Sequence, residues 1–134
     1  APIREYVDDY IRKSTVKMSV RECTEFSKYM AYLGRSLSKL KMKIIIPHDI
    51  SILGIKAGRY DVQRFIYWHF LKCFWDESNN FDRSVGVNFD WYFPKFAFRH
   101  TPNEVKKWFT SSKIKIITFK EVESGISVTG KKMD

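Results

Sequence analysis

A chain of 134 residues is long enough for one domain and too short for two ordinary ones. Hydrophobic residues make up 44% and aromatic residues 16%, which excludes wholesale disorder and asks for large contacts, some of them with surfaces outside this chain. The net charge of +9 fits either a solvated lysine-rich surface or an anionic partner: nucleic acid, a phosphorylated substrate or an acidic membrane surface. Many of the lysines gather toward the C terminus, at Lys106, Lys107, Lys113, Lys115, Lys120, Lys131 and Lys132. Cys23 and Cys73 form no CxxC pair, and His48, His69 and His100 are scattered, so no metal site is expected. Two thiols on apolar helix faces read as buried and free, which places the chain in a reducing compartment, the cytoplasm. No secretory signal and no apolar run of about eighteen residues is present, so no membrane span is expected. The first residue is Ala1 with no Met, compatible with tag removal, N-terminal processing or a fragment.

In chain order, Pro2 suits the first turn of a helix. Ile3, Tyr6, Val7, Tyr10 and Ile11 then share one face at helical spacing, with Asp8 and Asp9 turned the other way. Arg12 and Lys13 sit where the helix dipole favours cations. Ser19-Val20-Arg21-Glu22 is a capping box, with Met18 and Cys23 as its staple. Cys23, Phe26, Met30, Leu33, Leu37 and Leu40 form an apolar stripe that predicts a helix from about 20 to 40. Ile44-Ile45-Ile46 reads as a short strand ended by Pro47, and residues 47–60, with Gly54 and Gly58, as a loop. Asp61 caps a helix from Val62 to about Trp75, apolar nearly all round. Burying such a helix in so short a chain calls for another domain or subunit.

Residues 76–90, with Ser78-Asn79-Asn80 and Gly86, read as a loop, and the aromatic stretch from Asp90 to His100, broken by Pro94, as extended. Thr101-Pro102-Asn103-Glu104 is a second capping box with Pro at the first helical position. Val105, Trp108 and Phe109 give its helix a buried face. Residues 113–119 alternate charged and apolar until Ile117 breaks the pattern. With Ile126-Ser127-Val128-Thr129 they predict an antiparallel strand pair at the end of the chain. The fold class is therefore α+β: helices over 1–89, then a helix and a strand pair over 90–134.

The chemistry in this pattern is sparse. Gly34, Gly54, Gly58, Gly86, Gly125 and Gly130 form neither GxGxxG nor a phosphate-binding loop, and GxSxG and HExxH are absent. Asp90, Tyr92, Arg99 and His100 gather just before a helix N-terminus. There His100 is a candidate general base and Arg99 a fork for a carboxylate or phosphate. The alternative is structural: Asp90 pairs with Arg99, and His100 bonds a backbone carbonyl. Gln63 and Arg64 open the apolar helix, either as solvent anchors or at the mouth of a pocket.

The order of these segments resembles the late region of class I S-adenosylmethionine-dependent methyltransferases. The carrying residues are Asp90-Trp91-Tyr92-Phe93-Pro94-Lys95, Phe98-Arg99-His100-Thr101, Glu104-Val105 and Trp108-Phe109, which match a D-W-Y/L-x-P, R-H-T, E-V, W-F series. Arg4-Glu5-Tyr6 with Asp8-Asp9-Tyr10-Ile11-Arg12 is similar to the piece after the fifth sheet strand in one branch. Tyr60-Asp61-Val62-Gln63-Arg64-Phe65 resembles the helical insertion that caps the substrate side. The resemblance covers nearly the whole chain. It implies the C-terminal half of a Rossmann-like enzyme, with Gln63, Asp90, Tyr92, Arg99 and His100 facing a small-molecule or anionic substrate. S-adenosylmethionine would be the cofactor of the complete enzyme.

The family holds that cofactor on an acidic residue and a glycine-rich turn after the first strand, and on an acid after the second. Neither is in this sequence, so no cofactor-binding residue is expected here and the fragment alone is expected to be inactive. Where most members read A-G-F/L after the W-F helix, this chain has Thr110-Ser111-Ser112-Lys113 and lacks the glycine cap. An open strand pair and an over-wide apolar helix predict a homo-oligomer, or docking on the missing N-terminal half. Two other classes fit the composition. One is a basic nucleic-acid-binding module using the C-terminal lysines and Trp91 or Tyr92. The other is a non-enzymatic interaction domain that pairs with a separate cofactor-binding chain.

Overall fold

A computed structural model describes residues 6–122 and 124–134. The expectations placed on Pro2, Ile3, Arg4 and Glu5 lie outside the described residues. Those described are mixed α and β and divide into two compact units, one running to Ala97 and the other spanning Phe98–Asp134. The expected boundary at 89/90 falls inside a helix.

The first unit contains α1 (Val7–Thr15), α2 (Val20–Lys39), β1 (Lys43–Ile46), β2 (Gly58–Asp61), α3 (Val62–His69) and α4 (Phe81–Tyr92). The Ser19 box starts α2: Ser19 Oγ accepts from the Glu22 amide at 3.1 Å, and the Ser19 amide donates to Glu22 at 2.8 Å. The buried line of α2 is Cys23, Ser27, Met30, Ala31 and Gly34, whereas Leu33 and Leu40 are exposed. Small residues, not the leucines, mark where neighbouring chain comes closest. β1 pairs antiparallel with β2, from Lys43 opposite Asp61 to Ile46 opposite Gly58, so the expected loop over 47–60 ends in a strand. The isoleucine run needs a partner for its backbone groups, and the chain returns to supply it. Asp61 then caps α3, accepting from the Arg64 amide at 3.1 Å.

Two expected elements are overturned. The helix expected over 62–75 stops at His69, and the loop expected over 76–90 holds α4, capped by Asn80 accepting from the Arg83 amide at 2.8 Å. The reason is the non-helical stretch that follows: Phe70 is exposed, and residues 71–75 run inward, with Lys72 and Cys73 buried. Its backbone is satisfied by side chains from both flanking helices. Tyr92 Oη donates to the Lys72 carbonyl at 2.7 Å and Gln63 Nε2 donates to the Cys73 carbonyl at 2.9 Å. The Asn88 amide brackets Phe74, accepting from its N–H at 2.7 Å and donating to its carbonyl at 3.1 Å. Once these groups are paired, leaving the helix costs little. Cys73 is therefore buried, but not in a helix.

The polar side of α1 is likewise turned inward. Asp8, Arg12 and Thr15 are buried, while Val7 and Tyr10 are exposed, against the apolar face expected for this helix. The helix α1 packs on the C-terminal end of α4, whose last carbonyls lack partners within the helix. Thr15 Oγ1 donates to the Tyr92 carbonyl at 2.6 Å, and the Arg12 guanidinium donates to the Pro94 carbonyl. The core proper is Cys23, Met30, Cys73 and Tyr92, ringed by Phe26, Leu37, Ile66, Leu71, Phe89 and Trp91. Phe26 meets Tyr92 edge-on at 5.0 Å.

The second unit is α5 (Pro102–Ser111) followed by β3 (Ile114–Val122) and β4 (Gly125–Lys132). Thr101 Oγ1 accepts from the Glu104 amide at 3.3 Å, and the Thr101 amide donates to Glu104 at 2.6 Å, closing the second box. Lys113 takes the left-handed conformation, φ 56°, at the position where glycine would ordinarily end the helix. The antiparallel register runs from Ile114 opposite Lys132 to Val122 opposite Gly125 and shifts between Ile116 and Thr118. The bulge thus falls on Ile117, the residue that breaks the alternation in the sequence. Gly130 lies under α5: a Cβ there would stand 2.9 Å from Phe109 and 2.4 Å from Ile114.

Candidate functional site

The first unit contains a cleft of about 320 Å³ where α3 begins, lined by Asp61, Gln63, Arg64, Tyr67, Trp68, Phe74 and Trp75. Two independent segments build it. The helix α3 contributes Gln63, Arg64, Tyr67 and Trp68 from successive turns of one side. The non-helical stretch contributes Phe74 and Trp75, held in place by Asn88 and by the Gln63 bond to Cys73. Trp75 Nε1 is buried and carries no hydrogen-bond partner.

Behind two of these walls lies a caged cation. The Lys72 ammonium sits 4.8 Å from the Tyr67 ring, 4.8 Å from Trp68 and 4.5 Å from Trp91, and Lys72 is only 7% exposed. Ring quadrupoles replace part of the hydration lost on burial. Lys72 Nζ also donates to the Tyr67 carbonyl at 3.2 Å, and Trp91 Nε1 donates to Tyr67 Oη at 2.7 Å, which fixes two rings of the cage against each other. Burial pushes the Tyr67 phenol up to about 12 and the Cys73 thiol up to about 11. Both stay protonated at neutral pH. The Tyr92 phenol is raised further, again mainly by burial.

The cleft therefore offers aromatic walls, a polar mouth and a buried positive charge behind them. Of the residues that line it, Asp61 accepts from the Arg64 amide as the cap of α3 and Gln63 donates to the Cys73 carbonyl.

The five residues singled out from sequence are distributed as follows. Gln63 lines the cleft and holds the Cys73 carbonyl. Tyr92 is fully buried and holds the Lys72 carbonyl. Asp90 lies exposed on α4. Arg99 and His100 belong to the second unit, where the His100 ring meets Trp108 edge-on at 4.6 Å. Gln63 and Tyr92 thus come together on the 72–74 backbone, and neither unit gathers all five. Sequence reading missed Lys72 as a caged group, and Tyr67, Trp68 and Asn88 with it. A lone lysine inside an aromatic run was the available signal. Among the described residues no group of His, Cys, Asp or Glu comes together as a metal site, and no helix is long and apolar enough to cross a membrane. Compared with protein-family models, with curated proteins and with solved structures, the chain matches none of them.

Proposed function

We propose that this chain is the C-terminal, substrate-side portion of an S-adenosylmethionine-dependent methyltransferase of Rossmann-like fold. The observation that carries the reading is the second unit. A helix opened by Thr101-Pro102 and ended by a left-handed residue leads into an antiparallel hairpin, the element order that the sequence resemblance implies. Among the described residues of that unit no side chain is fully buried, and both outer edges of its two-stranded sheet are unpaired. A two-stranded ribbon of this kind gains stability by joining a larger sheet.

The residues present do not fit the cofactor itself. Among the described residues both sheets are antiparallel pairs, and no strand passes through a glycine-rich turn into a helix. The glycines at positive φ, Gly54, Gly58 and Gly125, stand at the exit of a 3₁₀ turn and at the starts of β2 and β4. In this reading the methyl donor is held by other residues, and the present chain orients the acceptor. The cleft receives the acceptor between Tyr67, Trp68, Phe74 and Trp75. Gln63 lines its wall, and Tyr92, buried behind it, holds the Lys72 carbonyl. The free buried thiols Cys23 and Cys73 accord with a cytoplasmic setting.

Phe65 and Tyr67 of the aromatic helix are buried within the first unit, so that helix offers a partner less apolar surface than its sequence implies. The open hairpin remains as the surface for a second copy or for the cofactor-binding half. The test is calorimetric titration of S-adenosylmethionine into residues 1–134 and into a product extended upstream through the adjoining coding sequence. The extended chain should bind and residues 1–134 should not. Micromolar binding by residues 1–134, or no binding by any extended product or co-purifying chain, overturns the reading.

A further inference from the structure

We infer that the face of the β3–β4 hairpin turned away from α5 is a docking surface for the phosphate backbone of duplex nucleic acid. The two faces of this ribbon are chemically distinct. Toward α5 lie Ile114, which with Phe109 of α5 meets the position of a Gly130 Cβ, and Phe119, which lies beneath the Lys106 ammonium at 4.6 Å. The pleat alternates, so the residues between these face the other way. They include Lys115, Lys120 and Lys131, all exposed. In the register Lys115 stands directly opposite Lys131, and Lys120 opposite Ser127. Glu121 falls on the α5 side with its partner Ile126. Among the described residues the outer face therefore carries three lysines and no acid.

Like charges directly opposite each other destabilise a strand pair. Lys115 and Lys131 therefore oppose the hairpin they stand on, and a polyanion laid across them reverses the sign of that interaction. The array is elongated: Lys115 to Lys120 spans roughly 15 Å along β3, the rise of about four base pairs. Thr118 and Thr129 lie between the lysines, and Ser127 stands opposite Lys120; all three supply hydroxyl donors of the kind that bind phosphate oxygens. Among the described residues the same face presents no aromatic ring. Single strands are held by stacking as much as by charge, whereas a duplex offers its backbone alone. That difference selects the duplex as the occupant. This inference does not depend on the methyltransferase reading.

The test is fluorescence anisotropy of a labelled duplex of about 20 base pairs, titrated with the full chain over a series of salt concentrations. Binding should weaken with salt, log K falling by about 0.9 per phosphate neutralised, or roughly 2.7 for three lysines. K115E/K131E should lose at least tenfold in affinity at low salt, and the slope should fall by about two. K39E/K107E changes net charge equally at exposed positions elsewhere and should lose less than about threefold. Circular dichroism melts confirm folding. If the glutamate pair unfolds the hairpin, K115Q/K131Q carries the test with the same loss of slope. Equal losses in the two double variants overturn the inference. So does absence of salt-dependent binding by the wild-type chain, or tighter binding to a single strand of the same length or to phosphatidylserine vesicles.

Discussion

Replacing Gly34 by alanine should destabilise the first unit by about 1–3 kcal/mol, although in most helices the same change stabilises. Alanine gains about 1 kcal/mol over glycine in a helix interior. At Gly34 the added Cβ would stand 2.3 Å from the Cys73 carbonyl oxygen and 3.0 Å from Trp75 Cβ. The carbonyl would have to retreat by roughly an ångström, and it belongs to the backbone, so the whole 72–75 stretch must move. Overpacking of this kind costs about 1–3 kcal/mol. The retreat also draws the Cys73 carbonyl away from Gln63 Nε2, now at 2.9 Å, a bond that contributes about 1 kcal/mol. The two losses exceed the propensity gain. Gly86 supplies the internal control: it lies within α4, with nothing inside 4 Å of the point where a Cβ would stand, and Gly86→Ala should stabilise by about 0.5–1 kcal/mol. Urea unfolding followed by tryptophan fluorescence measures both. A Gly34→Ala midpoint at or above wild type, with the slope unchanged, would refute the claim that the 72–75 backbone is pressed against α2.

Asn88→Ala should cost about 2–4 kcal/mol, since it leaves the N–H and carbonyl of Phe74 unpaired, and differential scanning calorimetry should show a lowered Tm. Thr101→Ala should cost about 0.5–2 kcal/mol in denaturant melts, by loss of the cap on α5. Lys113→Gly should stabilise the second unit by about 1 kcal/mol, because it relieves a left-handed lysine; no change in amide exchange over α5 and β3 would count against that geometry. The Cys73 thiol is raised from 9.0 to about 11, so its contribution is complete below pH 9 and is lost as pH climbs toward 11, while the unfolded chain ionises first. Urea midpoints should fall across that window by an amount equivalent to about 2 kcal/mol, and alkylation of Cys73 at neutral pH should proceed only at the rate of unfolding.

Features that one short segment completes on its own were legible in the sequence. The boxes at Ser19 and Thr101 and the Asp61 cap depend on residues three positions apart, whose hydrogen bonds close locally, and the span of α2, the final strand pair and its break at Ile117 are carried by patterns within one contiguous stretch. The candidate site was legible only in part. Gln63 could be placed at a pocket mouth because it opens an apolar helix, but its bond to Cys73, ten residues on, carries no local signature. The α4 helix was readable in principle from Asn80 and the spacing of Phe81, Val85, Phe89 and Tyr92; the polar residues before it and Gly86 masked the period.

From sequence alone come the mixed α and β class, the caps at Ser19, Asp61 and Thr101 and the concentration of lysine toward the C terminus. Tertiary structure alone decided where the aromatic helix stops. VQRFIYWHFLKCFW contains no Gly or Pro, and nothing within it marks a stop after His69. It breaks after His69 because Gln63, Asn88 and Tyr92 converge on the carbonyls of residues 72–74, and because Gly34 leaves room for that backbone to approach. The hydrogen-bonding partners come from α3 and α4, and Gly34 from α2, brought together only by folding. Their hydrogen bonds replace the ones the helix would have made, and Lys72 is thereby set among three rings.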